Sequence, residues 1–138
     1  MIHFETINLK TKGFNDIVDI TKRLNGILEK SGISNGLLTV SVPGSTAGIT
    51  SIEYEPGLIF DMKKVFEKIA PENGNYKHNE TWGDGNGFSH VRAAITGFSR
   101  SVPVRNSELV LGTWQQIILM DFDNKSRNRA VSVQIIGE

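Results

Sequence analysis

The residues best equipped for chemistry are two histidines. His78 and His90 stand twelve positions apart with Asp84 and Asn86 between them, in a chain of 138 residues that has three histidines and no cysteine. Without thiolates, the strong metal ligands and proton carriers are His, Asp and Glu, so any site works through nitrogen and oxygen. A catalytic zinc uses about three protein ligands and keeps one position open, and two imidazoles with one carboxylate form such a set. His78 and His90 are therefore the candidate metal ligands. Asp84, Asp61 or Glu53 can supply the carboxylate, as a ligand or as the acceptor of a proton from metal-bound water. The competing structural reading makes His78 a loop residue and His90 a packing residue of a helix. His3 lies in an alternating stretch with no partner motif and is assigned no role.

A second group of residues could hold a ligand. Gly44-Ser45-Thr46 falls between two strand-like runs, where glycine permits close approach and a tight turn presents amide and hydroxyl donors to a phosphate. Asn86 and Arg92 join this group, Arg92 because a planar guanidinium matches phosphate geometry. Trp114, after the Gly112-Thr113 break, can stack on a ligand ring or fill the core. Asp61 sits beside an apolar stripe, which implies half-burial and a need for a partner. Glu55 precedes a helix whose positive end it would favour, a structural role. Arg127 and Arg129 read as guards of the last strand's edge. No serine stands at a spacing that defines a nucleophile and its base.

These residues must be placed by the elements around them. Ile2 to Thr6 alternates as a half-buried strand does, and Ile17, Ile20, Leu24, Ile27 and Leu28 recur at helical spacing, predicting a helix over 16–30 stopped by Gly32. Strands are predicted over 37–42 and 49–54. A second helix starts at Pro56 and ends before Pro71, with Leu58, Ile59, Met62, Val65, Phe66 and Ile69 as its stripe. Residues 72–87 are polar, rich in Gly and Asn and aperiodic, a length of loop that is more often functional than idle. A short third helix follows from Phe88 to about Gly97, then strands over 101–104, 108–111, 114–122 and 127–136, with Asp123 to Ser126 as a hairpin turn. The fold class expected is α+β, a mixed or antiparallel sheet sandwich packed with two or three helices.

Length and composition bound the rest. The chain is the size of one domain, 1–138. Fifteen basic residues balance fifteen acidic ones, so no long-range field draws in nucleic acid or an anionic membrane. The N-terminus lacks a signal peptide's apolar core, and no apolar run of about 18 residues is present, which makes the cytoplasm the expected location.

Several motifs, in order along the chain, carry a family resemblance: Pro43-Gly44-Ser45-Thr46-Ala47-Gly48-Ile49; Glu53-x-Glu55-Pro56-Gly57 with Asp61; Tyr76-x-His78; Asp84-x-Asn86-x-x-Ser89-His90; and Leu111-Gly112-Thr113-Trp114-Gln115-Gln116. From end to end the chain resembles the YjbQ-like family. That resemblance implies a compact α+β fold, usually a homotrimer, with a histidine-containing pocket that often carries a divalent metal, zinc or magnesium, near a subunit boundary. The activity it implies is that of a secondary thiamine-phosphate synthase, which joins a pyrimidine diphosphate to a thiazole phosphate. Many members have His-Thr-Thr-Ala where this chain has Gly44-Ser45-Thr46-Ala47, so one imidazole of the family pattern is missing here. Two other functions fit the same residues: a metal-dependent hydrolase of a small phosphorylated or amide substrate, and a non-catalytic trimer that binds a phosphorylated metabolite.

Overall fold

Alternation of inward apolar and outward polar residues builds two antiparallel sheets, described for residues 1–138 in a computed structural model. The larger sheet has the strand order β1 (Ile2–Thr11), β8 (Arg127–Gly137), β3 (Gly36–Ser41), β5 (Ser99–Arg105), β6 (Glu108–Leu109). The smaller has β2 (Asp16–Asp19), β7 (Gln115–Asp121), β4 (Ala47–Glu53). Every strand pair is antiparallel.

The sheets face each other across the main core. Ile7 and Leu9 of β1, Leu38 and Val40 of β3, Val131, Val133 and Ile135 of β8 meet Ile49 of β4 and Ile117 and Leu119 of β7, with Leu24, Ile27 and Leu28 of α1 (Thr21–Ser31) closing one side. The opposite face of β7 carries Ile118 and Met120, which with the adjoining Phe122 pack on Phe66 of α2 (Pro56–Ile69) and Ala93 of α4 (Gly87–Thr96). Strand β7 is thus buried on both faces, which explains its unbroken apolar run. The short α3 (Lys77–Trp82) lies between α2 and α4 in sequence. The α+β sandwich expected from the sequence is found, with four helices rather than two or three.

Three local readings are corrected. The predicted first helix splits: Asp16–Asp19 is strand β2, paired with β7 through Ile17↔Met120 and Val18↔Leu119, and the helix starts only at Thr21. The β-branched Ile17 and Val18 point to the two faces of a strand, and the Asp19 carboxylate accepts from the Thr21 amide where the chain turns into α1. Gly32, at φ 70°, ends α1 as expected. The aperiodic stretch contains α3, ended by Gly83 at φ 67°. Finally, Asp123 to Ser126 does not close a hairpin, because β7 and β8 belong to different sheets, and the turn carries the chain from one layer to the other.

Candidate functional site

The two histidines come together because two helix starts are clamped. Gly87, the first residue of α4, donates its amide to Asn79 Oδ1 at 2.8 Å, and a β-carbon there would lie 2.5 Å from Tyr76 Cβ. Only glycine lets α3 approach α4 this closely. Ser89 then ties α4 to the end of β7 through a 2.6 Å bond to the Phe122 carbonyl. With these restraints, His78 and His90 pack ring on ring, centroids 4.2 Å apart and planes tilted by 39°.

The surroundings of the pair favour the neutral imidazole at His90. Burial holds the His90 pKa below its ordinary value, the neighbouring His78 ring pushes it the same way, and Asp84 and Asp123 oppose both without prevailing. His78 Nδ1 is buried with no hydrogen-bond partner, and the nearest carboxylate oxygen, on Asp84, is 3.7 Å away. Buried ring nitrogens normally find a partner, and this one has none among the protein groups. The Asn86 amide stands between two acids: one orientation donates to Asp123 Oδ1 at 3.5 Å, the reversed one to both Asp84 oxygens at 3.0 and 3.2 Å, and the reversed one satisfies both ends of the amide.

Beside the pair is a depression of about 370 Å³, walled by Gly44, Ser45 and Ala47 on one side and by His90, Ala93, Ala94 and Phe98 on the other. The hydroxyl of Thr46, next in the turn, points down into a buried polar network. It donates to Asp123 Oδ2 and accepts from Arg129 NH2, and Arg129 grips Asp121 with two bonds of 2.7 and 2.8 Å. Thr11 adds a bond to Asp121, and Arg127 pairs with Asp123 at 3.1 Å.

Several predicted site residues lie elsewhere. Asp61 is on the exposed part of α2, not half-buried, and no partner approaches it. Glu53 ends β4 and Trp114 precedes β7, so both sit at the far end of the small sheet from Ala47 and Asp121. Six residue steps of extended strand make that about 20 Å from the Gly44 turn. Trp114 is 73% exposed rather than packed in the core. Arg92 is only 2% exposed, and its fork is committed to Glu67 and the Ala70 carbonyl over the Phe88 ring. Glu55 does cap α2, accepting from the Gly57 and Leu58 amides. His3 pairs with Glu5 at the half-buried margin of the inward face of β1, where Lys30 of α1 also reaches Glu5.

Arg129, Asp121 and Asn79 were missed by the sequence reading. The first two had a signal: Thr11, Asp121 and Arg129 share the inward parity of Leu9, Leu119 and Val131 on their strands.

An antiparallel α+β sandwich whose open end carries an imidazole pair beside a Gly-Ser turn defines the class of protein. The chain belongs to the family described as UPF0047 protein YjbQ-like, whose model matches residues 5–138. A UPF0047 protein of Methanothermobacter thermautotrophicus is 37% identical over 137 residues, 99% of this chain and 94% of that protein. UPF0047 protein YugU of Bacillus subtilis is 33% identical over 135 residues, 96% and 98% of the two chains. Among solved structures, a YbjQ-like protein of unknown function from Sulfolobus solfataricus superposes with a TM-score of 0.95 at 37% identity, covering 100% of this chain and 99% of that one. A hypothetical protein from Aeropyrum pernix gives 0.92 at 34% identity, covering 99% of each.

Proposed function

We propose that the depression between Gly44 and His90 takes a small phosphorylated metabolite and that His78 and His90 hold a divalent ion beside it, in a transferase of the thiamine-phosphate synthase type. The observation that carries this reading is the half-buried, stacked imidazole pair, one nitrogen of which is enclosed without a partner, at the rim of a depression walled by a Gly-Ser turn. The donor chemistry fits an ion: an imidazole ligates through an unprotonated nitrogen, and burial favours that form at His90. No cluster of three or more His, Cys, Asp or Glu is preassembled, so an ion at these two rings would complete its shell with substrate and solvent oxygens. When bound, it would offset the charge of a diphosphate leaving group.

The chain's own residues supply positioning. Gly44 and Ser45 offer a surface without bulk against which a phosphoryl group can be seated, and Phe98 and the Ala93–Ala94 face give an apolar wall for a ring. Bringing two substrates together in a fixed orientation is itself worth several kcal/mol of barrier, and such a reaction needs no protein nucleophile. In this reading three copies associate, as the resemblance implies, with the depression near a subunit boundary.

A second reading, a metal-dependent hydrolase, is favoured by one contact. Asp84 lies 3.7 Å from His78, where a carboxylate can take the proton of an attacking water.

The test is metal content per chain of freshly purified protein and of its His78→Ala/His90→Ala variant, followed by assay of thiamine phosphate formation from the two phosphorylated precursors. Near-stoichiometric ion lost in the variant, together with product, supports the transferase. Ion without product, but with turnover of phosphate esters or amides, moves the assignment to the hydrolase. Absence of ion after incubation with zinc and magnesium removes both metal-assisted readings.

A further inference from the structure

Arg129 is spent on only part of its donor set. It is 4% exposed, its Nε and NH2 bind the two oxygens of Asp121, and NH2 also binds Thr46. NH1 makes no hydrogen bond to any protein group. A guanidinium carries five N–H donors in a fixed fork, and the two on NH1, an atom not sealed from solvent, are left for an incoming acceptor.

The position of that nitrogen is informative. NH1 lies beside Gly44, 3.2 Å from where a β-carbon on that residue would sit. Gly44 has φ 125°, a conformation that residues with side chains rarely adopt, so the turn is held in a form that keeps this space clear. Gly44 and Ser45 are also walls of the depression that His90 lines. A buried cation with a free edge, a residue without a side chain next to that edge, and an exposed Ser hydroxyl therefore converge on one spot.

We infer that this spot is an oxyanion subsite, in which the NH1 edge of Arg129 and the Gly44–Ser45 turn receive a terminal phosphoryl group of the substrate. The inference deepens the reading of the depression as a phosphometabolite site and rests on it, but not on the ion. Arg129 becomes a specificity residue: it selects a ligand that ends in phosphate over its dephosphorylated form. Asp121 fixes the plane of the fork from the other side, as a carboxylate does for an arginine that must meet a tetrahedral anion in one orientation. Because Asp121 and Asp123 already balance Arg129 and Arg127, recognition here comes from directed donors rather than net charge, and salt should weaken it only modestly.

The decisive experiment titrates inorganic phosphate into chelator-treated, full-length protein and follows the phosphorus-31 linewidth. Saturable binding is expected in the absence of any divalent ion, competed by sulfate and not by chloride. Gly44→Val should weaken it at least about tenfold, since the added branches would cover NH1. Arg129→Lys, which keeps a charge for Asp121 but loses the fork, should do the same while circular dichroism reports an unchanged fold. Should Arg129→Lys unfold, the turn variant decides alone. No saturable binding in the chelated wild type, or wild-type affinity in Gly44→Val, overturns the subsite. Phosphate binding that appears only after zinc is added also overturns it, while leaving the histidine-bound ion standing. Binding in the chelated protein that takes up no ion does the reverse.

Discussion

At the scale of single residues, the Asp121–Arg129 pair decides what the Gly44 end of the sandwich can tolerate. Two charges removed from water repay their desolvation only when geometry and further hydrogen bonds are good, and here Thr11, Thr46 and the Asp123 amide supply those bonds. Burial pushes the Asp121 pKa up, but the bonds from Arg129, Thr11 and the Asp123 amide outweigh it and hold the carboxyl below its ordinary value. A carboxylate whose folded pKa is depressed stabilises the fold above its unfolded pKa, and loses that contribution as pH falls through the folded one. Asp121→Asn should therefore cost about 3–5 kcal/mol at neutral pH, leaving a buried guanidinium without its counter-charge. Below about pH 4 the gap between variant and parent should narrow. Denaturant unfolding at pH 7 and pH 3.5 checks both statements, and a gap that stays constant across that range contradicts the assignment.

At the scale of elements, the junction of α3 with α4 is what turns two distant histidines into a pair. Gly87→Ala places a methyl group where Tyr76 Cβ and Cγ and Asn79 Oδ1 already stand, at 2.5, 2.7 and 2.9 Å. Backbone or ring must move, at a cost of about 1–3 kcal/mol, the usual penalty of overpacking. The expected result is a lower melting temperature together with loss of the ring-to-ring nuclear Overhauser contact between His78 and His90. A melting shift with the contact intact would mean that some other feature sets the pair. This junction also marks where sequence reading stops. The stripe of α2, its Pro56 start and Glu55 cap, and the long strands were legible because each is a periodic or local signal. The Asn79–Gly87 clamp was not, because a glycine's value depends on which side chain lies against it, and that is fixed only in three dimensions. Strand β2 was misread because Ile17 and Ile20 continue the helical spacing of Leu24, and only the pairing of Ile17 with Met120 and of Val18 with Leu119 reveals a strand over Asp16–Asp19. His78 and His90 were identified from residue type, whereas Arg129 was passed over as an edge residue although its inward parity could have been counted.

At the scale of the whole molecule, large apolar side chains are left uncovered in more than one place. No helix is long and apolar enough to cross a membrane, yet Phe60, Ile95, Phe98 and Trp114 are all more than half exposed. The outer face of the large sheet adds the row Ile2, Ile136 and Leu37, side by side through the register Ile2↔Ile136↔Leu37 with no helix over it. Scattered apolar residues are normal on a surface, but contiguous rows of this kind mark association sites. The two ends of the small sheet add a geometric point. Glu53 and Trp114 lie about 20 Å from the Gly44 turn within one chain, so if they serve the same ligand they must come from a neighbour. Head-to-tail contact between opposite ends of one element is heterologous, and it closes into a ring when the rotation allows. A trimer, as proposed above, would be such a ring, and light scattering should return about three times the 15.3 kDa chain mass. Trp114→Ala should lower that mass or weaken assembly while leaving the fold intact, because the side chain packs against little in its own chain. A monomer at micromolar concentration, or a trimer indifferent to Trp114, would place the association surface on the large sheet's outer face instead.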